Sequence, residues 1–557
     1  MFNPSVEPFE SPFVVAPPPQ NSALARLAMR LLDSRLSLKI LCAGGLLGAL
    51  FVYLRATPNC DVAWLLYAAE KTLGGATLYG DVLETNPPLI VYLNMLPVLF
   101  GRVAGLSPYS AFAMFVFALT GLSLALIWMV GAASPTDGAR ARRLLILAVL
   151  AIFTIFPASD FGQREHLLLI FCMPYLFLTA ARAQDLNINQ DLNINKVLAI
   201  SIGLFAGLGF ALKPHFLLLP ALLEAYLVLH FRRLRWRPEA LAAACFIALY
   251  TALIPLVAPL YLERIVPYAL LVYNIGYGHG FIETILCWQT FLILPLAILY
   301  LMARGRQQCR AYADIMLLAA VGFYIIYAMQ MKMFSYHLLP VSALLFVSLL
   351  LFCMNDHMLG VWRGLGAAAA LVAMSAILMA PLNRGTYANP VMEPVLQAMN
   401  TYAKGSSTFV FSSFFWISFP MASMADTRLP SRFPAFWLLP GAERQLQAPQ
   451  LDRHSELARK LEDIERYTVD SVVEDFSRDR PSLVIVDEND RRFSGLSFNY
   501  LEFFQRDERF RSLWRGYRRI GAICAGDDIG PYALYVLDTN NAAASLLADQ
   551  GKCVAAP

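Results

Sequence analysis

From Leu36 to about Pro381 the chain repeats one motif: apolar stretches of about 20 residues, parted by short charged or Pro/Gly-rich loops. A helix of that length matches the hydrocarbon thickness of a bilayer, and a helix satisfies its own backbone where no water can. Composition agrees, because a chain of 557 residues that is 58% hydrophobic and only 15% charged cannot clothe itself in a polar surface. The expected class is an α-helical polytopic membrane protein. The net charge of +4 says little about partners, since basic residues in such a chain first set orientation. It implies no nucleic acid.

Candidate spans cover residues 37–56, 109–131, 143–159, 166–182, 197–213, 215–231, 239–258, 284–303, 312–329, 338–354 and 364–381, about eleven in all. Basic clusters lie at Arg26/Arg30/Arg35/Lys39, Arg140/Arg142/Arg143, Arg182 to Lys196, Arg232 to Arg237, Arg304 to Arg310 and Arg363. The positive-inside rule puts all of them in the cytoplasm only if segment 87–105, PPLIVYLNMLPVLFGRVAG, does not cross. Its shortness, internal prolines and Arg102 fit a re-entrant or interfacial helix instead. The N-terminus is then cytoplasmic, and residues 57–108, 160–166, 213–215, 259–283 and 330–337 share the outer face. The expected location is a bacterial-type inner (plasma) membrane.

Residues 1–35 are proline-rich and weakly apolar, and are expected to be a disordered cytoplasmic tail before an uncleaved anchor. Residues 36–381 form the membrane domain, with an outer loop at 57–108. From 382 to 557 charged residues become common, and runs such as STFVFSS, SLVIVDE and YALYVLD alternate with helical stretches such as SELARKLEDIERYTVDSVVEDF. That pattern predicts a soluble α/β domain on the outer face. The nine cysteines show no metal-like spacing, and Cys524 with Cys553 is the one pair placed to bridge in an oxidising compartment. The duplicated hexamer QDLNINQDLNIN at 184–195 reads as a tolerated loop insertion.

Charge gathers where the outer loops meet the membrane. Asp61 follows the first span, and LYGDVLETNPPL follows one short helix later, so Asp61, Asp81 and Glu84 are able to converge on one cavity. A carboxylate at that depth is costly unless solvated or paired. The helix between them, WLLYAAEKTL, is amphipathic and is expected to hold the loop in the interface. DFGQREH packs Asp160, Arg164, Glu165 and His166 between two apolar spans. Lys213 and His215, then Lys332 and His337, are cations at outer span ends, where snorkelling to headgroups is the ordinary use of such residues. Together with the acids they suit a pocket for an anionic lipid headgroup.

An acid just after the first span, a short helix, then Tyr79-Gly80-Asp81 and Glu84-Thr85-Asn86-Pro87-Pro88-Leu89 resembles the GT-C glycosyltransferases, in particular the group of protein O-mannosyltransferases and the aminoarabinose transferase of lipid A. The resemblance covers mainly the first third of the chain. It implies a GT-C-like fold and transfer of a sugar from a polyprenyl-phosphate carrier to a glycan, lipid or protein acceptor of the envelope, with catalysis by an acid of the first outer loop. It makes Asp61 the catalytic carboxylate, with Asp160 and Glu165 as further catalytic candidates that position the acceptor or a metal ion. Asp81, Glu84 and Asn86 fall in the motif, Asn86 standing where the group has a phosphate-binding lysine. Phosphate contact then passes to Arg164, Lys213, His215, Lys332 or His337, with His166 a further substrate-binding candidate. No cofactor is required, and a divalent metal ion is allowed for. Two other classes stay open. A transporter or flippase of lipid-linked saccharides needs polar residues in mid-span. A non-catalytic envelope scaffold tolerates neutral substitution of every acid named.

Overall fold

The computed structural model describes residues 35–133, 139–184, 194–232, 234–287, 289–293, 295, 310–353, 361–524, 530–538 and 553–555. The tail expected before Arg35, half of the 284–303 span and most of the hexamer repeat lie outside them. Among the described residues seven helices are long and apolar enough to cross a membrane: Leu36–Arg55, Pro108–Gly131, Arg164–Gln184, Pro214–Phe231, Pro238–Val257, Ala311–Gln330 and Ser335–Cys353. Three expected spans appear as shorter apolar helices, Arg143–Thr154, Lys196–Phe210 and Ala368–Arg384. The disputed segment is the 16-residue helix Leu89–Ala104. At about 1.5 Å per residue it reaches about 24 Å, short of a hydrocarbon core about 30 Å thick.

The elements that position the site are α1 (Arg35–Arg55), α2 (Cys60–Leu73), α3 (Leu89–Ala104), α4 (Pro108–Ala133), α5 (Ala139–Thr154), α6 (Arg164–Gln184), α7 (Lys196–Phe210), α8 (Leu218–Phe231), α9 (Pro238–Val257), α10 (Arg310–Gln330), α11 (Leu339–Cys353) and α12 (Val361–Arg384). Helix α6 is the central post. Its apolar window is 94% buried, against 11% for α1 and α9, which leave their leucines facing outward as lipid-exposed helices do. Close approach is set by a small residue: a Cβ on Gly203 of α7 would lie 2.2 Å from the backbone oxygen of Glu239 at the start of α9.

The C-terminal region adds β1 (Thr408–Phe411), β2 (Leu483–Asp487), β3 (Tyr517–Cys524), β4 (Tyr532–Leu537) and β5 (Cys553–Ala555), ordered β1-β2-β4-β3-β5. The runs read as strands from the sequence lie on β1, β2 and β4. Strands β1 and β2 pair in parallel, and β4 runs antiparallel to both β2 and β3. Both β1 and β2 are buried along their whole length, which is why they read as unbroken apolar runs. Phe409, Phe411, Val484 and Val486 face one core, Val410, Leu483 and Ile485 the other, as a period of two requires. The long helix expected at 455–476 is present as Glu456–Arg478, capped by Ser455. Cys524 is disulfide-bonded, and β5, which carries Cys553, runs beside its strand.

One expectation for the outer loop is corrected. Helix α2 buries Val62, Ala63, Trp64, Leu65, Leu66, Ala68 and Ala69. Its aromatic face meets Phe419, and Lys71 donates to the Leu429 carbonyl at 2.8 Å. Helix α3 and the C-terminal region together pack on this helix, so its apolar face is covered by protein.

Candidate active site

A cavity of about 610 Å³ opens where the ends of α2, α6, α10 and α12 meet the C-terminal region. Asp61, Glu84, Asn86, Asp160, Arg164, Lys213, His215, Lys332 and His337 all line it. These residues come from separate loops, yet the fold delivers them to one chamber.

Asp61 sits in the first turn of α2, whose N-cap is Asn59. The Asn59 side chain accepts from the Asp61 amide at 2.9 Å and donates to the Ser159 carbonyl, tying the first outer loop to the second. A helix N-terminus favours a carboxylate. Arg164 reaches Asp61 Oδ1 at 2.9 Å, and Gln163 Nε2 donates to Oδ2 at 2.7 Å. Two of about four acceptor positions on the carboxylate are thus used. The side chain, 15% exposed, keeps the others toward the cavity.

The DFGQREH run is folded by its glycine. Gly162 has φ +80°, and a Cβ there would come within 2.4 Å of the Phe112 ring, so no other residue makes this turn without displacing the helix behind it. His166 stabilises the same turn. Its Nδ1 accepts from Gly162 N at 3.0 Å while Nε2 lies 2.9 Å from the Phe153 carbonyl, an arrangement that fixes a neutral imidazole. His166 is fully buried and does not line the cavity, so the substrate contact expected of it gives way to a structural role.

Two other expected residues also lie off the cavity surface. Asp81 accepts from the Thr77 amide at 2.9 Å and closes a local turn. Glu165 is buried behind the wall, where Lys213 Nζ meets its Oε1 at 2.6 Å and His337 Nε2 stands 3.5 Å away. Breaking such a buried pair leaves an uncompensated charge, so Glu165 fixes the position of Lys213. Asp160 does line the cavity, with Arg384 at 2.8 Å and the Ser335 hydroxyl at 3.2 Å. Burial raises its carboxyl to about 6, opposed by Arg384 and Ser335 and assisted by Asp61 and Glu165.

Glu84 folds its own loop. Trp64 Nε1 donates to Oε2 at 2.5 Å, and the Asn86 amide donates to Oε1 at 2.8 Å, with the Asn86 side chain also on Oε1. The cations are held in the cavity wall, Arg164 by Asp61 and Lys213 by Glu165. Lys332 Nζ stands 3.9 Å from the centre of the Tyr273 ring. Burial, then Lys213 and Arg164, lowers its ammonium to about 7. Burial likewise lowers Lys213, against the pull of Glu165. Buried polar atoms without partners cluster here: Arg164 Nε, His215 Nε2 and His337 Nδ1. Unpartnered polar atoms of this kind, a guanidinium donor and two imidazole nitrogens, mark where a ligand's polar groups would go.

The donor set does not suit a divalent cation. Among the described residues no three His, Cys, Asp or Glu side chains converge, and the Asp61 oxygens both face nitrogen donors.

Sequence reasoning missed Trp64, Gln163, Tyr273, Tyr277, Trp437 and Arg492 as cavity residues. Gln163 lay in plain view within DFGQREH. The last two come from the C-terminal region, and nothing local in the sequence points to them.

No family model matches the chain, and no curated protein matches it. Among solved structures it is similar to the single-particle cryo-EM structure of arabinofuranosyltransferase AftD from mycobacteria, with 12% identity and a TM-score of 0.41. The match covers 90% of this chain and 40% of that one, so the chain spans less than half the length of that protein. A score this low decides neither family nor activity.

Proposed function

We propose that the protein is a membrane glycosyltransferase that moves a sugar from a polyprenyl-phosphate carrier to an envelope acceptor at the outer face. The observation that carries this reading is the charge gathered in the cavity: Asp61, a carboxylate in the first turn of α2, beside Arg164, with Lys213 and Lys332 on the same chamber. A lipid-linked phosphate needs fixed cations at that depth. An acceptor hydroxyl needs a base. The motif resemblance in the first outer loop supports the same class, and the disulfide at Cys524 accords with a C-terminal domain in an oxidising compartment.

In this reading the acceptor O–H lies within hydrogen-bond reach of a free lone pair on Asp61. Asp61 takes the proton as the acceptor oxygen attacks the anomeric carbon, and the bond from that carbon to the carrier oxygen breaks. The carrier phosphate leaves with the bonding electrons and needs no proton, only the cations. A single displacement of this kind uses one carboxylate and inverts the anomeric centre. General-base assistance of this sort contributes about 10²–10⁴-fold. Asp160 holds the neighbouring loops together through Arg384 and Ser335, and Glu165 sets Lys213. Radiolabelled polyprenyl-phosphate sugars supplied to membranes with and without the protein test the proposal. Protein-dependent transfer of label out of the lipid is expected, and identical label in both membranes would overturn it.

A further inference from the structure

One wall of the cavity is not used by the reaction as written. It comes from the C-terminal region: Ser413 and Phe414 after β1, Trp437, and Arg492 after β2. Trp437 is 3% exposed, yet its indole Nε1–H has no partner. Buried indole donors normally find one. The Arg492 Nε is likewise buried and unpartnered. Its guanidinium lies 4.4 Å from the centre of the Tyr277 ring and 5.1 Å from that of Phe414, and makes no ion pair among the described residues. The wall is built rather than loose. Asp490 accepts from Ser413 N at 2.6 Å, Ser413 Oγ at 2.7 Å, Arg492 N at 3.0 Å and Tyr500 OH at 2.8 Å. Tyr277 donates to the Ser413 carbonyl at 2.7 Å, fixing the ring against the same loop.

Flat aromatic faces beside unpartnered N–H donors have a definite complement. A saccharide ring offers an apolar C–H face to the aromatics, and its hydroxyl and ring oxygens accept from N–H groups. The Tyr273 ring, 4.9 Å from Tyr277 and edge-on to Trp437 at 5.7 Å, also carries Lys332 on it, so it stands between this wall and the cations assigned to phosphate. A guanidinium stacked on rings and lacking a carboxylate partner selects for negative charge.

We propose that Trp437 and Arg492, with the faces of Tyr277 and Phe414, form a subsite for an acidic saccharide, and that this is the acceptor side of the cavity. The inference rests on the transfer reading above and extends it to the chemical class of the acceptor. Saturation-transfer NMR on the full-length protein in detergent micelles tests it, with methyl glucoside and methyl glucuronide as probes and undecaprenyl phosphate titrated separately. The glucuronide is expected to bind saturably, about tenfold or more tighter than the glucoside, as one charge-assisted hydrogen bond allows. Trp437→Phe, which keeps a ring and loses the N–H, weakens both glycosides, and Arg492→Gln abolishes the preference for the acid. Binding of neither glycoside to the wild type, or equal binding to wild type and both variants, overturns the subsite. So does a loss in these variants confined to undecaprenyl phosphate, which assigns the wall to the donor. Failure of undecaprenyl phosphate to bind the wild type contradicts the transfer reading instead, and the glycoside arms still judge the subsite.

Discussion

Lys332 lies between two residues of left-handed backbone, Met331 (φ 48°) and Met333 (φ 53°). Such conformations cost about 1–3 kcal/mol each in a non-glycine residue and persist where surrounding structure imposes them. Here they turn the ammonium over Tyr273. With that ammonium lowered to about 7, the sign of a pH effect follows. Below about pH 7 Lys332 is charged and meets a phosphodiester directly. Above it the free protein has lost the proton, and binding the anion must take one up again. Donor kcat/KM should therefore fall by about tenfold per pH unit above 7, and the slope should vanish in Lys332→Met. A flat wild-type profile from pH 7 to 9 contradicts this. Lys332 was legible in the sequence because a cation at a span end stands out against apolar neighbours. His166 was equally visible and was misread, because sequence cannot show that both its nitrogens are spent on Gly162 and Phe153.

At the scale of elements, apolar run length predicted the helices well wherever a run ended in a charge or a proline, as at Arg35, Arg55, Pro238 and Arg384. It ran past the C-terminal ends of α5 and α7, whose apolar runs continue into the short 3-10 segments at Asp160 and after Lys213. The covering of α2 was illegible for a different reason. Its amphipathic face suits lipid and protein alike, and only the contacts to Phe419 and Leu429 decide between them. Orientation rests on α3 not crossing. A cysteine placed at position 141, near the start of α5, should then be shielded from a membrane-impermeant thiol reagent added outside and react only after permeabilisation. Labelling of intact cells at that position contradicts the arrangement.

For the molecule as a whole, the C-terminal region forms part of the cavity wall. The Leu83 amide of the first outer loop donates to the Arg432 carbonyl at 2.8 Å. The Arg432 guanidinium in turn holds the fully buried Asp475 at 2.8 Å and Glu474 at 2.6 Å. Arg432→Ala leaves Asp475 with the backbone amide at 432 and Arg478 as its one ion-pair partner, and loss of one partner of a buried pair costs about 3–5 kcal/mol. A clear drop in the apparent unfolding midpoint in detergent is expected, and an unchanged midpoint contradicts the clamp. No sequence pattern announces this clamp, since Leu83, Arg432 and Asp475 meet only through tertiary structure. The cavity so enclosed makes sense as a whole if one carboxylate activates the acceptor while cations receive the departing phosphate. The direct measurement is turnover of a radiolabelled polyprenyl-phosphate sugar by purified Asp61→Asn, which keeps the shape of the side chain and removes its basicity. Transfer should fall by about 10²-fold or more with donor binding near that of the wild type. Wild-type turnover in Asp61→Asn, or a comparable loss confined to Asp160→Asn, would contradict the account.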